Sequence, residues 1–275
     1  TFAEINRRWR TGDSTRTDIP LRTFHNHRQA IEEMFDINIE CDKCTNTYYI
    51  ADAEGMLGDK LKMWLLNSFS LNNILQENVD MKNRIVFEEV PLGLQYMDII
   101  IDAMRTGSVL HMEYQAYNWE QPKEVCLEPY FLKLFRHRWY LIGVNRKYEA
   151  FRSYSLDRIK SVRTGNDTFR FPRKFTPQDY FQNCFGIIRD EAQQPQRTVL
   201  RVVAEQAPYL RNLPLHPSQQ EIVTTDTYTD FEMYISHTYD FIQELLSKGS
   251  TVEVLEPQSL RDLMKAEIEK MQKLY

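Results

Sequence analysis

The chain has 275 residues, is 42% hydrophobic and 12% aromatic, and carries a formal net charge of −5. That apolar content excludes wholesale disorder, and the length exceeds one ordinary domain, so two or three compact units are expected. Four cysteines in so long a chain exclude a disulfide scaffold and suit reduced thiols. The longest apolar run around the Trp-Tyr pair, Trp139 to Val144, is six residues, far short of the roughly 20 that a membrane helix needs. No charged-then-apolar leader opens the chain, so a cytoplasmic protein is expected. The charge is unevenly spread: residues 121 to 175 hold 13 Lys/Arg against 5 Asp/Glu, a balance of +8, and residues 190 to 275 hold 8 against 14, a balance of −6. A basic middle beside an acidic tail suits a middle that meets an anion, although a solvated basic face has the same composition.

Residues 1 to 50 read as helix, turn, helix and ribbon. Phe2, Ile5 and Trp9 share one helix face, and Gly12-Asp13-Ser14 breaks it. Pro20 then sits at a helix start, and Leu21, Phe24, Ile31, Met34 and Phe35 mark an amphipathic helix whose other face shows Arg22, His25, Asn26 and Gln29. Ile37 to Glu40 and Thr47 to Ile50 flank the turn-forming Lys43 to Asn46. This order is similar to a winged helix-turn-helix with the second helix in the reading position. Arg22, Thr23, His25 and Asn26 are the candidate base readers and Arg28 the phosphate contact. A small helical unit without a DNA role has the same pattern, and the first 35 residues carry 6 Lys/Arg against 5 Asp/Glu, no basic footprint.

Residues 51 to 105 read as a helical linker: Leu61, Trp64, Leu65 and Phe69, then Leu71, Ile74 and Leu75, then, after a Pro91-Leu92-Gly93 break, Tyr96 to Met104. From Val109 the period becomes that of strands. Val109 to Tyr114, Val125 to Leu127, Tyr130 to Phe135, Arg138 to Asn145, Phe151 to Ser155 and Ile159 to Thr164 suggest a small barrel. Past a linker at Asp190 to Gln196, strands at Val199 to Ala204, Phe231 to Ser236 and Thr251 to Leu255 alternate with helices at Pro208 to Leu213, Tyr239 to Ser247 and Ser259 to Leu274. That order suits a ferredoxin-like α+β domain. The stripe Leu260, Leu263, Met264, Ile268, Met271 and Leu274 is expected to be the last helix's seam against the sheet.

The stretch Pro129-Tyr130-Phe131-Leu132-Lys133, Arg136-His137-Arg138-Trp139-Tyr140-Leu141-Ile142-Gly143 and Phe151-Arg152-Ser153-Tyr154-Ser155-Leu156-Asp157-Arg158-Ile159 resembles the WYL domain, named for the triplet at 139 to 141. The tail, with Leu213-Pro214-Leu215-His216 and Gly249 to Pro257, is similar to the C-terminal extension of such regulators. The resemblance implies a multidomain α+β protein. Its parts would be a winged helix-turn-helix at 1–50, a helical linker at 51–105, an Sm-like or SH3-like β-barrel at 106–190 and an α+β dimerisation extension at 197–275. It implies a bacterial, homodimeric transcriptional regulator, not an enzyme, that binds double-stranded DNA and senses a nucleotide or single-stranded oligonucleotide. The first helix of the tri-helical unit such regulators carry is not found among these residues, so either sequence upstream is missing or the register of the unit starts late.

Guanidinium groups take phosphate and aromatic rings accept stacked bases, which makes Lys133, Arg136, Arg152 and Arg158 the candidate ligand cations. His137, Tyr140 and Tyr154 support them. Arg152 and Tyr154 share one strand face, and alternation places Tyr140 opposite Trp139 and Leu141, which suit the core. Cys41-Asp42-Lys43-Cys44 reads as a turn: His25 and His27 diverge on their helix, so no metal is expected. No cofactor loop of GxGxxG or Walker type occurs. A nucleic-acid-binding accessory protein that modulates another effector is the alternative reading; a nucleotide-processing enzyme is disfavoured by the lack of an acidic metal cluster.

Overall fold

The computed structural model describes residues 1–11, 17–77, 84 and 93–275, in two compact units, Thr1–Glu88 and Glu89–Tyr275. The Gly12-Asp13-Ser14 break and the Pro91-Leu92 pair lie outside the described residues.

In the first unit, α1 (Phe2–Thr11) and α2 (Leu21–Phe35) precede an antiparallel ribbon of β1 (Ile39–Asp42) and β2 (Thr47–Ile50). Two further helices follow, α3 (Ala53–Gly58) and α4 (Lys60–Glu77). Pro20 stands before α2 at φ −60°, and Asp36 in the left-handed region at φ 49° ends it. The buried Phe24 joins these parts: its ring lies 5.0 Å from Phe2 on α1 and 4.8 Å from Tyr48 on β2. Asn6 is also buried, and its amide pairs with the Ile19 backbone, accepting from the Ile19 N–H at 2.8 Å. Left unpaired, such a group costs roughly 1–3 kcal/mol. Phe35 meets Phe69 of α4 at 5.7 Å.

The second unit opens with α5 (Met97–Thr106). Gly107 at φ 67° closes the helix by donating to the Ala103 carbonyl, and Gly93 at φ 62° lies so close to the Leu156 backbone that a Cβ would sit 2.4 Å from its carbonyl carbon. Strands β3 (Ser108–Tyr114), β4 (Lys123–Phe135), β5 (Arg138–Asn145) and β6 (Ala150–Ser155) form a meander, and β7 (Ile159–Thr168) returns to pair with β3. The order is β6-β5-β4-β3-β7, antiparallel throughout. The closed barrel expected from the strand spacing is not formed: among the described residues no ladder joins β6 to β7. A single 3-10 turn, Leu156–Arg158, connects these two edges, and its Leu156 is wholly buried, so the chain crosses between them instead of zipping them together. Val125–Leu127 and Tyr130–Phe135, read separately in the sequence, belong to one strand. It shifts register between Pro129 and Phe131, where a bulge accommodates a residue lacking the ladder's N–H.

One face of this sheet packs Leu110, Met112, Leu127 and Leu141 against Ile100 and Ala103 of α5. The other carries an aromatic layer. Phe131 and Phe151 lie under Phe175, Tyr180 and Phe181, which come from the segment around α6 (Pro177–Tyr180).

The rest is β8 (Gln196–Val203), α7 (Ala207–Asn212), β9 (Gln220–Thr224), β10 (Tyr228–Ile235), α8 (Tyr239–Ser247), β11 (Val252–Glu256) and α9 (Gln258–Gln272). The antiparallel order β11-β8-β10-β9 on a β-α-β-β-α-β chain is the split βαβ arrangement. Strand β9 gave no periodic signal because all its residues are exposed. The seam expected along α9 is real only at its start: Leu260 is buried and Met264 packs on the core, but Ile268, Met271 and Leu274 face solvent.

Two histidines in this half make its stability pH-dependent. Buried His216 accepts from the Ser218 N–H and contacts the Gln182 carbonyl through Nε2 at 2.7 Å; half-buried His237 contacts Thr198 Oγ1 at 2.8 Å. Burial pushes both below the ordinary value of 6.5. The unfolded chain therefore binds protons first, so the contribution is complete above about pH 6.5 and is lost as pH falls through the lowered folded values. Thermal melts should show a steeper loss between pH 7 and 5 for the native chain than for a His216→Gln, His237→Gln variant. Equal pH slopes would contradict this.

Candidate functional site

Strand β5 turns Trp139 and Leu141 into the core, and period-two alternation sends Arg138 and Tyr140 to the opposite face. Two connections converge beside them: the β3–β4 loop brings Tyr117, and the 3-10 turn brings Asp157 and Arg158. Tyr117, 75% exposed, has its ring centre 3.8 Å from the Arg158 guanidinium, and its hydroxyl accepts from Arg138 at 3.2 Å. Asp157 Oδ2 is 3.6 Å from Arg138, and its other oxygen accepts from Ser155 Oγ. A recess of about 300 Å³ adjoins this group, with Trp119, Arg158 and Lys160 in its lining. Arg138, Arg158 and Lys160 against Asp157 leave a formal surplus of +2.

The electrostatics follow from these contacts. The hydrogen bond from Arg138, followed by Arg158, holds the Tyr117 phenol below its ordinary range, and burial pushes Tyr140 and Tyr114 up. Arg158 Nε is buried without a hydrogen-bond partner, an unmet donor at the edge of the recess. Chemically the site offers an exposed ring already stacked on a cation, a second guanidinium bound at its rim, and spare N–H donors. It suits an anion with a planar group.

Of the residues singled out in the sequence, the structure brings Tyr140 and Arg158 together here and sends the others elsewhere. Lys133 donates to the Gly186 carbonyl at 2.5 Å with its ammonium 3.6 Å from the Phe181 ring centre, and burial pushes its pKa down to about 8. Arg136 and His137 form the two-residue β4–β5 turn at φ 46° and 61°, and Arg136 pairs with Glu244 of α8. Tyr154 is corrected from surface to core. Only 7% exposed, it meets Tyr114 at 5.0 Å and accepts from Asn145, because its strand face is the one covered by α5 and β3. Arg152 shares that face at its rim, 5.7 Å from the Tyr148 ring centre. Sequence reasoning missed Tyr117, whose loop has no period, and undervalued Arg138, whose alternation with Trp139 was legible.

On α2, Arg22, His25 and Asn26 are exposed and Thr23 is half-buried. Arg28 is half-buried too, 3.7 Å from Glu32, which itself accepts from the Ile39 N–H at 2.8 Å, so Arg28 belongs to the joint between helix and ribbon. Cys44 and Thr45 both donate to Asp42, at 2.8 Å each, as turn residues do.

Comparison with known proteins fits this layout. The WYL domain family matches residues 95–164, which hold the meander and the Tyr117–Arg158 site, and the WCX domain family matches residues 194–272. The chain carries a WYL domain followed by a WCX domain. Among curated proteins none matches. Sixteen chains among the solved structures match, and two of them illustrate the likeness. One is proteasome accessory factor B/C (PafBC) of Arthrobacter aurescens, at 20% identity and TM-score 0.35, covering 92% of this chain and 40% of that one. The other is a CRISPR Cas-related protein at 12% identity and TM-score 0.39, covering 66% of this chain and 52% of that one. The chain thus spans about two fifths to one half of the length of these structures. The WYL domain contributes every residue of the basic-aromatic site. Among the described residues no helix is long and apolar enough to cross a membrane.

Proposed function

We propose that this protein is a ligand-responsive transcriptional regulator whose WYL domain senses a nucleotide or short single-stranded oligonucleotide. The observation that carries the sensing is the Tyr117–Arg158 stack with Arg138 bound to its rim. An exposed ring on a cation is a platform for a nucleobase, and the surplus of +2 beside it suits the attached phosphate. The match to WYL and WCX domains supports a regulator of this class. For the first unit, two helices followed by a ribbon, with Arg22, His25 and Asn26 exposed on α2, suit a winged helix-turn-helix that reads operator DNA. Two such helices about 34 Å apart need a two-fold partner. The exposed Ile268 and Met271 on α9, with Leu274 just past its end, are apolar surface that a homodimer would bury. Light scattering that reads a monomer at micromolar concentration would contradict the dimer.

Binding of a fluorescent thymidine tetranucleotide to the full chain should weaken with salt, with a slope of log affinity against log salt of about −1.5 to −3. Arg158→Ala should flatten the slope and lower affinity by roughly tenfold or more, and Arg158→Lys should restore charge but only part of the affinity. Unchanged binding by a folded Arg138→Ala, Arg158→Ala variant would mean that this surface is a solvated basic face.

On operator fragments selected from genomic DNA, Asn26→Ala should cost about 1–3 kcal/mol of specific binding and leave random DNA nearly unaffected. Equal losses on both DNAs would place the reading face elsewhere.

A further inference from the structure

A larger recess lies in the second unit where the β4–β5 hairpin meets the helices of the four-stranded sheet. It measures about 680 Å³, within the range of small-molecule sites. Phe135 and Phe185 form one wall, ring centres 5.7 Å apart and edge to face. Leu210, 2% exposed, anchors the opposite wall in the core, so that side is fixed. At the mouth stand Tyr209 and Leu213, 68% and 80% exposed, large apolar side chains that gain from being covered. Gln206 and Asn212 complete the polar part of the rim.

Three charged side chains reach the same recess. Glu244, its side chain 11% exposed, is held from both sides: one oxygen pairs with Arg136 and the other with Lys248 at 2.7 Å. Both carboxylate oxygens are therefore engaged. Beyond these pairs the charged groups offer mainly donors, the other guanidinium N–H groups of Arg136 and the remaining ammonium protons of Lys248. The Arg136 guanidinium is further fixed 5.5 Å and 5.7 Å from the ring centres of Phe135 and Phe185. Two cations against one carboxylate leave a formal surplus of +1 in a recess whose walls are mainly apolar. That surplus suits one anionic head on an apolar body and not a polyanion.

We propose that this recess binds a small amphipathic organic anion, its apolar body against Phe135, Phe185 and Leu213 and its head on Arg136 and Lys248. The site is separate from the Tyr117–Arg158 platform and does not depend on the function proposed above. Because Phe135 and Arg136 come from the WYL half, Phe185 from the strap that links β7 to β8, and the other residues from the WCX half, its ligand bridges the two halves.

The test uses the full chain with 8-anilinonaphthalene-1-sulfonate as a fluorescent probe and decanoate as competitor. The probe should saturate at one per chain and be displaced by decanoate. Decan-1-ol, the neutral counterpart, should compete roughly tenfold more weakly because it cannot take charge-assisted hydrogen bonds. Leu213→Asp, at an exposed position that carries no fold, should weaken probe and decanoate by about tenfold or more, and so should Lys248→Met. Arg158→Ala should leave both unchanged, which separates this site from the nucleotide platform. Non-saturating probe binding, decan-1-ol competing as well as decanoate, or unchanged affinity in Leu213→Asp and Lys248→Met would each overturn the proposal.

Discussion

Period-two alternation along β5 is the constraint on which the second unit depends. With Trp139 and Leu141 turned inward, the five-stranded sheet closes over α5; with Arg138 and Tyr140 turned outward, the opposite face gains its cation and its ring. A slip of one residue would exchange the two sets and lose core and site together. The core supplies the larger energy. Leu141 is fully buried, and truncating such a leucine costs about 2–5 kcal/mol. The site is therefore supported by a wall that does not yield.

The basic middle of the chain is less free than its +8 balance suggests. Arg136 is held by Glu244, Arg146 by Glu128 and Asp167, and Lys133 is buried against Phe181. These cations tie strands, hairpin tip and strap together. Arg138, Arg158 and Lys160 are instead gathered at one place, where Asp157 opposes only one unit of charge. The physical distinction is whether the first partner of an arginine is a carboxylate or an aromatic face. Arg136 has both, and Arg158 lies over Tyr117.

Strands were legible in the sequence where burial alternates, as at residues 231–235 of β10, and helices where one face is apolar, as in Tyr239–Ser247. Strand β9 was silent because pairing with β10 holds it and its side chains bury nothing. The site was half legible. Tyr140 sits on a strand with a period and Arg158 ends the Leu156-Asp157-Arg158 turn of the quoted motif, but Tyr117 comes from a loop whose position depends on contacts remote in sequence. Arg152 and Tyr154 were grouped correctly on one strand face, but which face the core covers is decided by α5 and β3, beyond what the local pattern contains.

The most direct test of the nucleotide platform is amide hydrogen exchange on the full chain with and without a saturating thymidine tetranucleotide. Protection should concentrate in residues 115–119 and 156–160, the two connections that carry Tyr117 and Arg158, with little change in the β5–β6 turn beside Arg152. A bound oligonucleotide that leaves those two segments unprotected, and protects the Arg152 end of the sheet or the first unit instead, would contradict the account.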